Sequence, residues 1–459
     1  MRAGGAPTWW LPAATATVMA FVWRVVLIEF APVAYSYDGY QRWAARDHIL
    51  VQDWLPATQV IIWITAQLHG DIYAGRLVMV GVAALAAGAG AWLAQSLAAE
   101  RVGAAESAWA GWAFVVAAAF GPWCSWGTVF YQESTFLLVL FGGLGLALAR
   151  RPVLADLVIG LLGLVRYEGG PIVLMYLVWR RRPAALSALW GMALWVGIRS
   201  FGPEGYHSSP VNFADWEGLG ERFTFADWFR DLDMLVFRLA NSGGLVWILA
   251  AALYSWLDRR SPLTRLIAAI AVSQVAVTLV WLAALEVSTS RMVVIPVAVS
   301  AVLGAALAPL VARQRRLMYL LPVGLAVLLA VGLEDAKQRM RVETMRIRHE
   351  KAALRLMGEC PGCVWWVLPR RGLGTRARHD GCEVIQGISD LVAGEDFYCA
   401  TWEDPDEALE VYARCGGTIR WDAEERMYVS ERHLPGSMPE LPILDPDPAL
   451  RTDLDGEEE

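Results

Sequence analysis

The chain has 459 residues, of which 56% are hydrophobic and only 19% charged. A water-soluble chain of this size does not carry so large an apolar fraction, so an ordinary soluble enzyme is excluded. The formal net charge of −7 says little about partners, because the acids concentrate in the C-terminal tail; no nucleic-acid partner is expected.

Apolar runs divide the first 333 residues into eleven expected spans. They cover roughly 9–33, 72–98, 104–123, 132–149, 153–167, 169–180, 184–199, 233–257, 263–285, 291–312 and 317–333. The longer runs suffice to cross a bilayer, and the shorter ones suit tilted or re-entrant helices. The first run lacks a small-residue cleavage site followed by soluble sequence, so it reads as a retained helix. Arg150-Arg151, Arg180 to Arg182, Arg259-Arg260, and Arg313 with Arg315-Arg316 all fall in alternate short loops. The positive-inside bias puts those loops in the cytoplasm. The N-terminus then also lies in the cytoplasm, and loops 34–71 and 200–232 and the C-terminal region lie outside.

The first span carries Arg24 and Glu29, which suit either a buried pair that fixes packing or a place in a water-filled cavity. The external loop that follows, Tyr35 to Arg76, holds Asp38 and two amphipathic segments joined by Asp53-Trp54-Leu55-Pro56. Tyr40, Trp43, Trp54 and Trp63 suit a loop at the membrane–water interface. An acid held at that boundary is a default functional candidate.

Gly121-Pro122 should break a helix, and Trp123, Trp126 and Tyr131 mark an interface. Glu133 opens the fourth span at its external end, as a dipole partner or as a site residue. Val165 to Pro171 (VRYEGGP) is a tight external turn in which Arg166 and Glu168 either close a helical hairpin or face a substrate. The 200–232 loop is rich in aromatics, His207 reads as a polar loop residue, and 224–238 suits an interfacial helix. Arg291 opens the tenth span on the external side, where an arginine either snorkels or holds a lipid phosphate.

After Leu333 the composition shifts. Residues 334–357 read as a charged helix, Val364 to Leu368 as a strand, Pro405 to Arg414 as a helix, and Thr418 to Trp421 with Arg426 to Ser430 as a small hairpin. Together these make residues 334–434 an external α/β domain, followed by an acidic, Pro-rich and disordered tail over 435–459. Cys360, Cys363, Cys382, Cys399 and Cys415 all lie there, and Cys124 is also expected outside; an oxidising compartment permits disulfides among them. One CxxC without a second, and without a histidine at finger spacing, argues against zinc. No Walker loop, GxGxxG after a strand, GxSxG or HExxH occurs, so soluble-nucleotide and hydrolase chemistries have no footing.

In order, the chain thus carries an acid soon after the first span (Asp38 in YSYDGY), WLP (Trp54 to Pro56), and a Gly-Arg-Leu-Val entry to the second span (Gly75 to Val78). An acid opening the fourth span (Glu133), an R-x-E-G turn (Arg166, Glu168, Gly169) and a late R-x(4)-P (Arg291, Pro296) follow. In this set the first 330 or so residues resemble the GT-C type membrane glycosyltransferases, the group that includes protein O-mannosyltransferases and bacterial lipid A aminoarabinose transferases. The resemblance implies a polytopic α-helical membrane protein that takes a sugar from a polyprenyl-phosphate donor at the external face. It further implies inverting transfer to a hydroxyl acceptor on a protein, glycolipid or polysaccharide. Asp38 is then the general base. Glu133, Glu168 and Tyr37 contact acceptor or sugar, and Arg291, with Arg166 second, neutralises the donor phosphate. No cofactor is implied. Many members carry two adjacent acids in the first loop, whereas Asp38 is followed by Gly39, which weakens the case for a metal. Membrane lipid is the other expected partner, and the Arg- and Ala-rich, Lys-poor usage points to a bacterial plasma membrane. A multi-pass transporter or flippase for a lipid-linked or polar solute is the alternative. It predicts charges near the bilayer midplane and repeated halves, neither of which is seen in the sequence. A non-catalytic assembly protein is the third.

Overall fold

The computed structural model describes residues 10–30, 42–43, 45–51, 55–201, 225–285 and 290–358, and five strands beyond them. Two compact units emerge: residues 1–32 with 45–340, and residues 33–44 with 341–459.

The first unit is helical throughout its described residues. Its elements are α1 (Leu11–Phe30), α2 (Pro56–Leu68), α3 (Ile72–Val102), α4 (Ala104–Ala117), α5 (Gly121–Trp126), α6 (Gln132–Leu148), α7 (Pro152–Gly160), α8 (Leu162–Val165) and α9 (Gly169–Arg180). A 3₁₀ segment, Pro183–Leu189, leads into α10 (Trp190–Phe201), and α11 (Phe225–Asn241), α12 (Gly244–Leu257) and α13 (Pro262–Leu285) follow. A second 3₁₀ turn, Ser290–Val293, opens α14 (Val294–Ala306), and α15 (Ala308–Ala312), α16 (Arg315–Met318) and α17 (Leu320–Gly358) close the series.

Among the described residues six helical stretches are long and apolar enough to cross a membrane, or seven if the bent pair α11–α12 is one span. The protein is an integral membrane protein. The remaining four of the eleven expected runs are short. Residues 104–123 stop as a helix at Ala117, and 132–149 gives the 17 residues of α6. Residues 153–167 split into α7 and α8, and 169–180 gives the 12 residues of α9. The expected span 233–257 is bent by 91° at its break. Gly243 there has φ +77°, a left-handed conformation that glycine adopts without a Cβ clash. The apolar run reads through this point because Ser242-Gly243-Gly244 is too short to interrupt its hydropathy.

The core of the unit is α3, with α1, α4, α6 and α14 packed around it. Close approach is built from small residues. A Cβ at Gly88 would collide with Thr17, one at Gly90 with Phe114, and one at Gly145 with Trp92. The two ends of this bundle differ. At one, Arg101 pairs with Asp258 at 2.7 Å and Arg313 with Glu106 at 2.6 Å, tying together the turns after α3, α12 and α15. At the other lie the end of α1, the start of α3 and the start of α6, where Tyr73 donates to Glu29 at 2.6 Å.

The second unit contains a five-stranded mixed sheet: β1 (Val364–Val367), β2 (Glu383–Ile385), β3 (Phe397–Trp402), β4 (Ile419–Asp422) and β5 (Met427–Ser430). The order is β2-β1-β3-β5-β4. β1 runs parallel to both β2 and β3, whereas β5 is antiparallel to β3 and β4. The expected strand at 364 and the hairpin of β4 with β5 are present. The expected helix 405–414, the tail, and Cys360, Cys363, Cys382 and Cys415 lie outside the described residues.

Candidate active site at one end of the bundle

Three sequence motifs meet at the end of the bundle where α6 begins. Glu133 is in the first turn of α6, where its charge faces the positive end of the helix dipole. Arg166 and Glu168 lie in the turn between α8 and α9. That turn is tight: Arg166 N–H donates to Leu162 O, and Gly169 N–H to Arg166 O. Gly169 lies so close to the Leu162 carbonyl that a Cβ would overlap it, which is the local reason for glycine in R-x-E-G. Arg291 sits in the 3₁₀ turn that precedes α14, and Thr278 holds the same turn by donating to Met292 O at 3.1 Å. Pro296 falls in the first turn of α14, where its missing N–H leaves no gap in the ladder.

The charges interlock. Arg166 grips Glu168 with two bonds, Nε to Oε2 at 3.1 Å and Nη2 to Oε1 at 2.9 Å. Its third nitrogen, Nη1, donates to Glu133 Oε1 at 2.6 Å. The same Glu133 oxygen lies 3.3 Å from Nε of Arg291. Glu133 is 97% buried by side-chain area, whereas Arg291 keeps 21% of its side chain accessible. The Arg291 guanidinium lies 4.4 Å from the centre of the Tyr131 ring, and Trp126 braces that ring edge-on at 5.3 Å. Burial works against the Arg166 charge, but Glu168 and Glu133 outweigh it and hold its pKa above the ordinary arginine value. The cluster of two arginines and two glutamates is neutral as a set. Glu133 Oε2 is buried without a hydrogen-bond partner among the described residues.

Glu133, Glu168, Arg166 and Arg291 are therefore brought together. Asp38 and Tyr37, and Asp53-Trp54 of the first loop, lie outside the described residues, as do His207 and most of the 200–232 loop. Several readings of single residues change. Trp123 and Tyr131 are buried in protein rather than placed at a lipid interface. An aromatic with a polar edge suits either setting, and here Trp123 packs on Phe114 while Tyr131 faces Arg291. Arg24 and Glu29 do not pair. Five residues place them about 140° apart around a helix, so Arg24 turns inward and Glu29 stays exposed. Cys124 is buried and free, its thiol 3.5 Å from Ala118 O. The sequence reading missed Tyr131 as the ring beneath Arg291; its spacing of two from Glu133 was the available signal. It also treated Arg76 only as part of the Gly-Arg-Leu-Val motif, although this side chain is fully buried.

No family model and no curated protein matches the sequence. Solved structures do match in fold. ArnT from Cupriavidus metallidurans bound to undecaprenyl phosphate aligns with a TM-score of 0.55 at 15% identity, covering 93% of this chain and 98% of that one. The apo state of the same protein gives 0.51 at 15% identity, over 91% and 98% of the two chains. The apo form of the Archaeoglobus fulgidus oligosaccharyltransferase gives 0.51 at 13% identity, over 96% of this chain and 76% of that one. The chain shares the fold of these two proteins, the fold that its sequence resemblance to the GT-C type membrane glycosyltransferases implies.

Proposed function

We propose that the protein is an inverting glycosyltransferase that moves a sugar from a polyprenyl-phosphate donor to a hydroxyl acceptor at the external face of a bacterial plasma membrane. The observation that carries this reading is the cluster of Glu133, Arg166 and Arg291 at one end of the bundle, with one partly accessible guanidinium beside a buried carboxylate. The fold shared with a protein solved with undecaprenyl phosphate supports the choice of donor.

In this reading Arg291 is the direct contact for the donor phosphate. Its planar fork suits a phosphodiester, and the Tyr131 ring fixes its plane. Arg166 has committed its bidentate edge to Glu168, so it acts mainly by holding the two acids, with its remaining N–H groups facing the phosphate as a second contact. Glu133 Oε2 and Glu168 take hydroxyls of the sugar or acceptor. Tyr37 lies in the acceptor-binding loop, and Asp38 is the general base. The acceptor oxygen attacks the anomeric carbon and gives its proton to Asp38. The bond from that carbon to the phosphate oxygen breaks, and the polyprenyl phosphate leaves with the negative charge that Arg291 faces. The donor already holds the activated bond, so the reaction needs no nucleotide.

The test is turnover of polyprenyl-phosphate sugars by purified protein, wild type beside Asp38→Asn. Transfer that is lost in a folded variant supports the reading, because an amide cannot take the proton. Equal turnover by the two proteins removes Asp38 from the base role. Absence of both binding and turnover across a broad donor panel rejects the glycosyltransferase reading.

A further inference from the structure

The chain between α4 and α6, residues 118–131, is irregular apart from the short α5. Buried irregular backbone needs every freed carbonyl satisfied by protein or water. Two buried arginines do this, one from each of two neighbouring helices. Arg24 of α1 donates through Nη2 to Ala118 O at 3.2 Å and to Trp123 O at 3.4 Å, and its guanidinium lies 5.3 Å from the Trp123 ring centre. Arg76 of α3 donates through Nε to Thr128 O at 3.0 Å. Both side chains are fully buried. Arg24 has no ion pair among the described residues, so its charge rests on carbonyls, including those at the negative end of α4. The fit is close: a Cβ on Gly127 would lie 2.8 Å from Arg24 Nε. The segment held in this way ends in Tyr131 and leads into Glu133 of α6, the two residues that fix Arg291.

We propose that Arg24 and Arg76 are positioning residues, which clamp the 118–131 connection by its carbonyls and so set the places of Tyr131, Glu133 and, through them, Arg291. Neither touches the substrate. The link to donor binding rests on the functional reading above, whereas the clamp itself does not.

The experiment uses the full chain in lipid nanodiscs, with Arg24→Met, Arg24→Lys, Arg76→Met and Arg76→Lys. Arg101→Met, which breaks an ion pair at the other end of the bundle, is the control. Three quantities are read: amide hydrogen exchange over 118–131, affinity for sugar-free polyprenyl phosphate, and thermal stability with and without Glu133→Gln. The methionine variants should speed exchange across 118–131 and weaken binding by roughly tenfold. The lysine variants should recover most of the affinity, and Arg101→Met should change neither. Faster exchange with unchanged affinity overturns the positioning role and leaves only a structural one. Unchanged exchange in folded methionine variants overturns the clamp. If wild type binds no polyprenyl phosphate, the functional reading fails by itself. The clamp is then judged from coupling between Arg76→Met and Glu133→Gln: non-additive losses support it, and strict additivity rejects it. Should Arg24→Met not fold, Arg76→Met decides by the same readouts.

Discussion

One oxygen of Glu133 serves two arginines: Oε1 lies 2.6 Å from Nη1 of Arg166 and 3.3 Å from Nε of Arg291. Two cations brought this close repel each other unless an anion lies between them. Glu133→Gln removes that anion from a buried site. The expected loss of stability is about 3–5 kcal/mol, as for other buried pairs deprived of one partner. A phosphate supplies a replacement charge, so polyprenyl phosphate should raise the variant's melting temperature by more than it raises wild type's. Thermal melts with and without the lipid check this, and an equal shift for both proteins counts against a phosphate site at Arg291.

Arg291→Ala should lower donor affinity by at least tenfold while costing little stability. The side chain is partly accessible, and Arg166 still neutralises Glu133. Arg291→Lys should recover only part of that affinity, because a point charge cannot match the fork. Titration with polyprenyl phosphate compares the three proteins, and wild-type affinity in Arg291→Ala would remove this residue from donor recognition.

Arg166 contributes no pH switch. Its pKa is raised on folding, so its stabilisation is complete below the unfolded-state value and is lost only as pH climbs through the still higher folded value. That window lies beyond the ordinary arginine range. Any change in donor binding across neutral pH should therefore persist unaltered in Arg166→Lys, which is measured as the same titration midpoint in both proteins.

Gly243→Ala places a side chain where φ is +77° and where a Cβ would come within 3.2 Å of Leu328. It should cost roughly 1–2 kcal/mol of stability through the backbone. The bend is remote from the Glu133 cluster in sequence and carries none of its residues, so donor affinity should hold. Denaturation and lipid titration of the same preparation separate the two effects.

The sequence made the charged site legible because charge is rare in apolar runs. Glu133, Arg166, Glu168 and Arg291 each stand out against their surroundings, and the fold brings all four together. What it hid were contacts made by the backbone. Arg24 and Arg76 bind carbonyls, and a carbonyl has no letter in a sequence. Burial of Trp123 and Tyr131 was equally illegible, since an amphipathic ring satisfies a lipid interface and a packed interior alike. Helix length was less legible for a related reason. Hydropathy measures apolar content along the chain, and α7, α8 and α9 are apolar enough but stop early at turns whose geometry depends on neighbours such as Gly169 against Leu162.

The shortness of α9 has a consequence for the lipid around it. Twelve residues rise only about 18 Å, well under the hydrocarbon thickness of about 30 Å. A helix that starts at the arginine-rich turn after it and returns to Gly169 stops short of the far leaflet's surface. Where its outer face meets lipid, the bilayer thins, or headgroups and water sink to meet the protein. Arg166, just before α9, then stands at the floor of a dimple. Under the proposed function, a carrier lipid reaches that floor with its headgroup by drifting sideways, its tail still among its neighbours.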